Sequence, residues 1–530
     1  MGSTPTRAAI NLSFLSPASV GIVTDAEIWR PSKKPKKTVR TIGAGAAESV
    51  MSASRAGVLD LSPAAQARRV RNGLPLAEKP GLKRWQRIVR NHYLWFVIAL
   101  SIFYFVSLFV TYRSMGSNLI SEISRVTSEA GSPVVITWSG INEALLLVTG
   151  KAVPTAICFL VAFILLDRIR PTPWAMKWVA FGWGASVSVS ISSIVNTWAG
   201  ALMNAQGPVD PSQGARAAIY SAPFVEEAAK LTIVFWLAIF LRRRLVAVHQ
   251  LVTMAGLSAL GFAFVENIVY YLRSYMFAAN ISGEDPLKEL NTLVLMRGVA
   301  TAFGHPLFTS IAALGFVVGL VNRSKLVRFL APVAGYLVAV LGHMMFNGLM
   351  SVGFSAKVAS ICGWVGVLAL VIYLCTRYVH QTRNIRSRLE DFVKMGWLSQ
   401  NDPRVYSSFF GRMKISIVAV LSGPKVCAAT WRLMRSITEL AYLRDAETRG
   451  LVDAWSLERQ RDLILIVEKY RPKAITDYRA LPWIPENIRG FFRRLISQIK
   501  ARIATLSPNR QGSKKIQEWR TPDPSQRVGV

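Results

Sequence analysis

The chain is poor in cysteine and in acidic residues. It has four cysteines among 530 residues, and no two of them form a CxxC pair. A disulfide framework and a thiolate zinc site are therefore not expected, and apolar packing is the better interpretation of these cysteines. No cleavable signal peptide is evident either, because the first long apolar run begins near Tyr93 and is long enough to stay in the membrane as an anchor.

Apolar residues, in contrast, are abundant. They make up 52% of the chain, which is more apolar surface than a soluble domain of this length can bury. Runs that reach the ~20 residues needed to span a bilayer predict an all-α, polytopic transmembrane bundle of eight spans. In chain order, spans one to eight cover residues 93–112, 150–167, 174–199, 219–241, 251–272, 297–321, 329–350 and 357–376.

Basic residues are concentrated on both sides of this apolar middle. Lys and Arg outnumber Asp and Glu by 63 to 30, for a formal net charge of +33. Basic segments beside a membrane span meet the anionic cytoplasmic leaflet first, so we expect lipid contact and no specific nucleic-acid binding. The resulting division is a disordered basic N-terminal region at 1–90, a transmembrane domain at 91–376, a helical basic cytoplasmic region at 377–505 with amphipathic stretches at 414–443 and 451–470, and a disordered tail at 506–530.

The loops between spans alternate in charge. Those that follow spans one and five are balanced or acidic, whereas those that follow spans two, four and six are basic. By the positive-inside rule the basic loops are cytoplasmic, and an even span count then places both termini in the cytoplasm. The basic loops hold Arg168, Arg170 and Lys177, then Arg242, Arg243 and Arg244, then Arg323, Lys325 and Arg328.

Ionisable side chains lie inside four consecutive spans. Each costs about 2.5–3.5 kcal/mol to insert, so each requires an explanation. Counted from the extracytoplasmic end of its span, the principal residue of each span lies six to eight residues deep, or ~10 Å. A common depth predicts one polar cluster. Its members are Glu226, Glu227 and Lys230 of span four, Glu266 and Asn267 of span five, His305 of span six, and His343 and Asn347 of span seven.

Local spacing refines this expectation. Glu226 and Glu227 lie about 100° apart around a helix, so we expect one to face the chemistry and the other to pair with Lys230. Pro306 disfavours helical geometry at His305, which predicts irregular backbone lining a polar cavity. The row Gly184, Ser188 and Ser192 in span three indicates close helix packing, and Tyr270 and Arg297 are interpreted as interfacial anchors.

The cluster contains the groups that peptide hydrolysis requires. Glu226, Glu227 or Glu266 beside His305 and His343 supplies a general base, while the amides of Asn267 and Asn347 are suited to an oxyanion. Alternatively, one Glu and the two His residues form a zinc site, with another Glu activating the bound water. The sequence leaves both mechanisms open. In the second, the predicted metal ligands are Glu266, His305 and His343.

Four motifs in order resemble those of the PrsW family of membrane proteases. They are EExxK at Pro223–Lys230, FxxxEN at Gly261–Tyr270, RxxxxxxxH at Arg297–His305 and HxxxN at Gly342–Asn347. The arrangement is also similar to the CAAX-type membrane protease superfamily, in which the first motif is EExxxR and a His stands where this chain has Glu266. The EExxK spacing and Glu266 favour PrsW.

The resemblance implies an intramembrane peptidase of a bacterial plasma membrane, with an active site accessible from the extracytoplasmic side. Its substrate would be a membrane-anchored protein, typically a regulator such as an anti-sigma factor, and its mechanism would depend on glutamate or on a metal, with Zn²⁺ the candidate cofactor. Two alternatives remain from the residues themselves: a proton- or ion-coupled transporter, since buried carboxylates and histidines also form proton relays, and a catalytically inactive scaffold.

Overall fold

The computed structural model describes residues 84–89, 92–168, 171–204, 216–240, 247–322, 324–351, 355–448 and 454–476, together with 490, 493–499 and 501. The predicted disorder of the N-terminal region up to residue 83, and of the tail at 506–530, lies outside the described residues. So do the loop residues Arg170, Arg242–Arg244 and Arg323.

All regular structure within the described ranges is helical, as predicted. Short π-helical turns at 184–188, 217–221, 278–282 and 296–300 adjoin the α-helices. The α-helices are α1 (Arg84–Val89), α2 (His92–Glu129), α3 (Trp138–Leu166), α4 (Trp174–Trp183), α5 (Val189–Asn204), α6 (Ala222–Phe240), α7 (Val248–Phe277), α8 (Pro286–Leu295), α9 (Gly304–Val321), α10 (Lys325–Ser351), α11 (Ser355–Lys394), α12 (Asp402–Ser407), α13 (Phe409–Leu421), α14 (Pro424–Thr448) and α15 (Ala454–Tyr470).

Seven helical segments of the described chain are long and apolar enough to cross a membrane. They correspond to predicted spans one, two, three, five, six, seven and eight. The remaining predicted span is α6, which has 19 residues but carries Glu226, Glu227 and Lys230. Because of these three charged residues, α6 is not among the seven segments identified by length and apolar composition, although most of its residues are apolar. The eight-span count and the cytoplasmic termini remain predictions.

The helices of the first two spans are longer than the sequence predicted. Helix α2 continues 17 residues past the predicted end at 112, and α3 begins 12 residues before the predicted start at 150. The extensions pack with the end of α7 and with α8 around a separate apolar core, which contains Ile123, Ile141, Tyr271, Leu272 and Leu290, all fully buried. The charged residues of this segment predicted a loop, and only packing between distant segments makes it helical.

Two glycines let the third span lie directly against the fifth. A Cβ at Gly184 would lie 1.8 Å from the backbone oxygen of Ser258, and a Cβ at Gly261 would lie 2.1 Å from that of Phe181. The predicted close packing of small residues therefore occurs at Gly184. This contact holds α5, the continuation of the third span, beside the helices that carry the cluster.

The sixth span is interrupted as Pro306 predicted. Helix α8 ends in the π-helical turn 296–300, residues 301–303 form a bend, and α9 then begins at Gly304. Pro306 lies in the first turn of α9, where its missing N–H leaves no helical hydrogen bond unmade. The consequence is that His305 lies at a helix N-terminus instead of in the middle of a continuous span.

Lys177, which the charge pattern assigned to a basic loop, is buried. Its Nζ lies 2.8 Å from Asp167 Oδ2. Burial raises the pKa of the Asp167 carboxyl, while the charge of Lys177 and hydrogen bonds from Lys177 and Thr172 oppose this rise. Lys177 is thus neutralised by a partner, so the positive-inside assignment of this loop depends on Arg168 and Arg170.

The C-terminal region is helical where it is described. Helix α11 runs without a break through the predicted boundary at residue 376 and reaches Lys394. The predicted amphipathic stretch 414–443 is divided into α13 and α14 at Gly423, whose φ of +105° favours glycine. These helices share an apolar core that includes Leu389, Ile415, Leu433 and Ile437.

Candidate active site

The charged residues of four helices meet around the ammonium group of Lys230. Lys230 Nζ lies 2.8 Å from Glu227 Oε1, 2.8 Å from His305 Nδ1 and 3.6 Å from Glu226 Oε2. The side chain is fully buried, and its Nζ lies 4.3 Å from the centre of the Phe262 ring. Lys230 therefore joins residues that are far apart in sequence into one cluster.

Glu227 is fully buried and accepts from three donors. Lys230 Nζ and His343 Nδ1 lie 2.8 and 3.2 Å from its Oε1, and Thr309 Oγ1 donates to its Oε2 at 2.7 Å. With both oxygens engaged, Glu227 acts as a support for its neighbours. Because His343 Nδ1 donates to a carboxylate, the Nε2 of this ring is left as a lone-pair acceptor.

Glu226 has a different environment. It lines a cavity of about 590 Å³, which Glu227 does not line. Asn196 Nδ2 donates to Glu226 Oε1 at 3.3 Å, whereas Glu226 Oε2 has no hydrogen-bond donor among the described residues. The two adjacent carboxylates thus divide as their spacing indicated: Glu226 borders the cavity, and Glu227 makes the shorter contact with Lys230.

His305 connects Lys230 to Glu266. The ammonium of Lys230 can only donate, so His305 Nδ1 is the acceptor and Nε2 carries the hydrogen. His305 Nε2 donates this hydrogen to Glu266 Oε2 at 2.8 Å. We assign His305 as a neutral imidazole on this hydrogen-bond pattern. The ring packs edge-on against Phe262 and His343, each with ring centroids 5.1 Å apart.

Arg297 belongs to the cluster, although the sequence suggested an interfacial anchor. Its Nη2 donates to Glu266 Oε2 at 2.6 Å, and its Nε donates to Asn267 Oδ1 at 3.1 Å. The guanidinium carbon lies 3.9 Å from the centre of the Tyr270 ring. The RxxxxxxxH motif was the available signal, because it places Arg297 eight residues before His305 in the interrupted span.

Both asparagines proposed as oxyanion donors line the cavity. Asn347 Nδ2 donates to the backbone oxygen of Ala218 at 2.9 Å, which joins α10 to the turn before α6. Asn267 accepts from Arg297 through its Oδ1. These contacts are interhelical hydrogen bonds, and the oxyanion role of the two amides remains a prediction.

Two further residues support the cluster and were not identified from the sequence. They are Asn196 of α5 and Thr309 of α9, which hydrogen-bond to Glu226 and Glu227. Both are neutral, and neither belongs to the motifs. Thr309 lies four residues after His305, a spacing that puts them on one helical face, so this was the one signal available for it.

Glu226, His305 and His343 could together hold a metal ion. One ligand atom from each residue lies within 4.8 Å of the others. The predicted set had Glu266 in place of Glu226; in the structure Glu266 Oε2 is already bound by Arg297 and His305. One Glu and two His are ligands that zinc accepts, and Glu226 Oε2 is a buried anionic atom that accepts no hydrogen bond from the described residues and that a cation would satisfy. The residues present therefore fit a metal.

The charge balance of the cluster agrees with this fit. The three carboxylates Glu226, Glu227 and Glu266 contact two permanent cations, Lys230 and Arg297. With neutral histidines, one negative charge remains unbalanced in an apolar bundle, where uncompensated charge is costly. A divalent cation would supply the missing positive charge, and it would compete with Lys230 for His305 Nδ1.

An apolar helical bundle that encloses Glu and His side chains beside a cavity has the groups that hydrolysis inside a membrane requires. Comparison with protein families makes this specific: residues 172–376 match the PrsW family of intramembrane metalloproteases. The match contains every member of the cluster. No curated protein and no solved structure matches the chain. Residues 172–376 are thus similar to the PrsW family, and this match supports an intramembrane peptidase, as the four motifs predicted.

Proposed function

We propose that the protein cleaves a membrane-anchored protein substrate near the extracytoplasmic side, with Glu226, His305 and His343 at the reacting centre. The observation that carries this proposal is that Glu226 lines the cavity beside two imidazoles, and that its Oε2, 3.6 Å from Lys230 Nζ, accepts no hydrogen bond from the described residues. A regulator such as an anti-sigma factor is the substrate that the PrsW resemblance favours. A bacterial plasma membrane is the expected location.

The direction of the cavity supports an extracytoplasmic site. In α5, α7 and α10, the lining residues begin at the level of the cluster and continue only toward the C-terminal end of each helix. The basic loops precede spans three, five and seven, so the C-terminal ends of these three helices lie at the opposite side of the membrane. The lining segments run from Val189 to Gly200, from Phe262 to Arg273 and from His343 to Met350. A substrate would therefore reach Glu226 from the side opposite the basic loops.

Each residue of the cluster has a part in this mechanism. Glu227 of α6 holds the His343 ring of α10 with Nε2 free, and Lys230 of α6 contacts both Glu227 and His305 of α9. Glu226 Oε2 is the atom placed to bind a cation or to accept a proton from water. A bound zinc ion would polarise the scissile carbonyl and activate water. Such support of ligand side chains by neighbouring carboxylates is typical of metal sites.

Cleavage in a defined membrane tests the proposal. Purified protein is reconstituted with a single-span substrate, the cut is mapped by mass spectrometry, and metal content and chelator sensitivity are measured in parallel. We expect one cut near the extracytoplasmic end of the substrate span, with none for Glu226→Gln. Proton-coupled flux through intact wild-type protein without cleavage would favour the transporter, and neither activity would favour the scaffold.

We also propose that helix α13 contacts anionic lipid at the cytoplasmic surface. Phe410, Ile417 and Val420 are exposed along one side of this helix, and Lys414 lies among them. The helix is held close to the membrane boundary, since Arg412 donates to the backbone oxygen of Arg168 at 3.2 Å. An apolar face with a basic residue is typical of helices that lie in the membrane interface.

A further inference from the structure

Helix α5 contributes a polar pair to the cavity that lies outside all four motifs. Ser192 and Asn196 are four residues apart and so share one helical face, and both line the cavity beside Glu226. The close approach at Gly184 holds this helix against the helices of the cluster. Asn196 Nδ2 then reaches Glu226 Oε1 at 3.3 Å.

The remaining polar atoms of this pair have no partner among the described residues. Ser192 is 3% exposed, yet its hydroxyl makes no hydrogen bond there, and the same holds for Asn196 Oδ1 and for Glu226 Oε2. Buried polar atoms without partners are costly, and in a polar cavity of sufficient size they are satisfied by water. Three such atoms on two adjoining helices supply the two to four contacts that an ordered water molecule needs.

Ser190 of the same helix uses its hydroxyl differently. Ser190 is hydrogen-bonded to Ser107 at 2.8 Å and to Thr111 at 2.7 Å, which ties α5 to α2. Its hydroxyl is used for packing between helices. The hydroxyl of Ser192, on the cavity side, makes no such contact.

We propose that α5 completes the active site by holding the water that hydrolysis consumes. Ser192 Oγ and Asn196 Oδ1 bind this water beside Glu226, and Asn196 Nδ2 positions the Glu226 carboxylate so that its Oε2 faces the water. Asn196 is thus a positioning residue as well as a water ligand. This inference rests on the proposed proteolytic function.

The reaction balances with water as the only co-substrate. The water oxygen forms a bond to the carbonyl carbon of the scissile peptide, and the carbon–nitrogen bond breaks. A carboxylate of the cluster takes up the proton that the water loses and delivers it to the leaving amine nitrogen. A dedicated binding position holds this water in the orientation that attack on the carbonyl carbon requires.

An isosteric pair of variants isolates the hydroxyl of Ser192. Ser192→Thr and Ser192→Val have side chains of nearly the same shape, but only Thr keeps the hydroxyl. We expect Val to lower kcat by about 10-fold or more with KM within about 2-fold of wild type, and Thr to keep kcat within about 3-fold. The same substitution at an exposed serine of α2 that does not line the cavity, Ser128→Val, should leave kcat unchanged. Equal kcat values for the Thr and Val variants would overturn the proposal.

Asn196 provides a second, independent measurement. Asn196→Leu removes both polar atoms at similar volume, and we expect a loss of kcat larger than that of Ser192→Val with KM again nearly unchanged. A loss that appears only in KM, or none at all, would contradict the positioning role. Cleavage by wild type that Glu226→Gln abolishes establishes the proteolytic function separately, so the water site can fail while the protease assignment stands.

Discussion

Glu227 and His343 contact each other across α6 and α10, with Glu227 Oε1 3.2 Å from His343 Nδ1. The contact fixes which ring nitrogen of His343 faces the cavity, because Nδ1 is committed to the carboxylate. It also explains why two adjacent glutamates occur in α6. One borders the cavity, and the other sets the orientation of a histidine on another helix.

Glu227→Gln tests this orienting role. An amide can present its NH₂ group to His343 and so favour the wrong ring tautomer, and we expect zinc affinity to fall by about 10–100-fold together with activity. Isothermal titration of zinc into metal-free protein measures this. Thr309→Val, which removes another donor to Glu227 but leaves His343 in contact, is the matched control with a smaller expected loss. Unchanged zinc affinity in Glu227→Gln would show that the contact does not orient a ligand.

A second prediction distinguishes the two possible metal-ligand sets. If Glu226 is the carboxylate ligand, Glu226→Gln should lose stoichiometric metal and lower cleavage by at least about 10²-fold, whereas Glu266→Gln should retain the metal. Metal content by mass spectrometry and cleavage rate are measured on the same preparations. Retention of metal in Glu226→Gln, with loss in Glu266→Gln, would restore the set that the sequence suggested.

Lys230 should be essential for stability as well as for activity. Lys230→Met removes the charge at similar length and leaves three buried acceptor groups without their common donor. We expect a cost of about 3–5 kcal/mol in unfolding free energy. Unfolding in mixed detergent micelles measures it, with Lys151→Met as the control, since Lys151 is only partly buried and donates to Asn291 at 3.0 Å. Similar stability of the two variants would argue against a charge-based cluster.

The contact at Gly184 gives a packing prediction that is independent of chemistry. A Cβ there would clash with the Ser258 backbone, which cannot move aside as a side chain can, so Gly184→Ala should destabilise the bundle by about 1–3 kcal/mol or more. Gly150→Ala is the control, because a Cβ at Gly150 meets nothing within 4 Å. Equal thermal stability of both variants would mean that the third and fifth spans are less closely packed.

The lipid contact of α13 can be measured with a spin label. In a variant without the native cysteines, a label at Phe410→Cys should be more accessible to oxygen than to a water-soluble nickel complex in anionic liposomes. A label at Glu390→Cys, an exposed acidic residue of α11, should show the reverse. The same water-like accessibility at both positions would exclude insertion of α13.

The sequence predicted the helical class, most span positions and the buried Glu, Lys and His residues of the cluster, because each depends on a strong local signal. Ionisable residues in apolar runs are rare enough to identify a site without structure. The extensions of α2 and α3 were not predictable, since their helicity depends on contacts with Tyr271, Leu272 and Leu290, which are distant in sequence.

The preference for Glu226 over Glu266 as a proposed metal ligand rests on a contact that the sequence does not show. Glu226 and Glu266 are both glutamates at nearly the same predicted depth in their spans. They differ in the structure because Arg297 forms an ion pair with Glu266. Asn196 gave no signal, because a neutral polar residue in a helix rich in small residues costs little to insert. Only the structure shows that Asn196 contacts Glu226, and this contact is what suggests a role beyond helix packing.

Helix α11 links the C-terminal apolar core to the segment that precedes His305. It is 40 residues long, or about 60 Å, and carries Leu389 of that core at one end. Nearer its start, Trp364 Nε1 donates to the backbone oxygen of Ala300 at 3.0 Å, just ahead of the bend that leads to His305. An uninterrupted helix transmits tilt along its whole length. Any load that rotates the C-terminal core therefore acts on the bend at 301–303 beside His305.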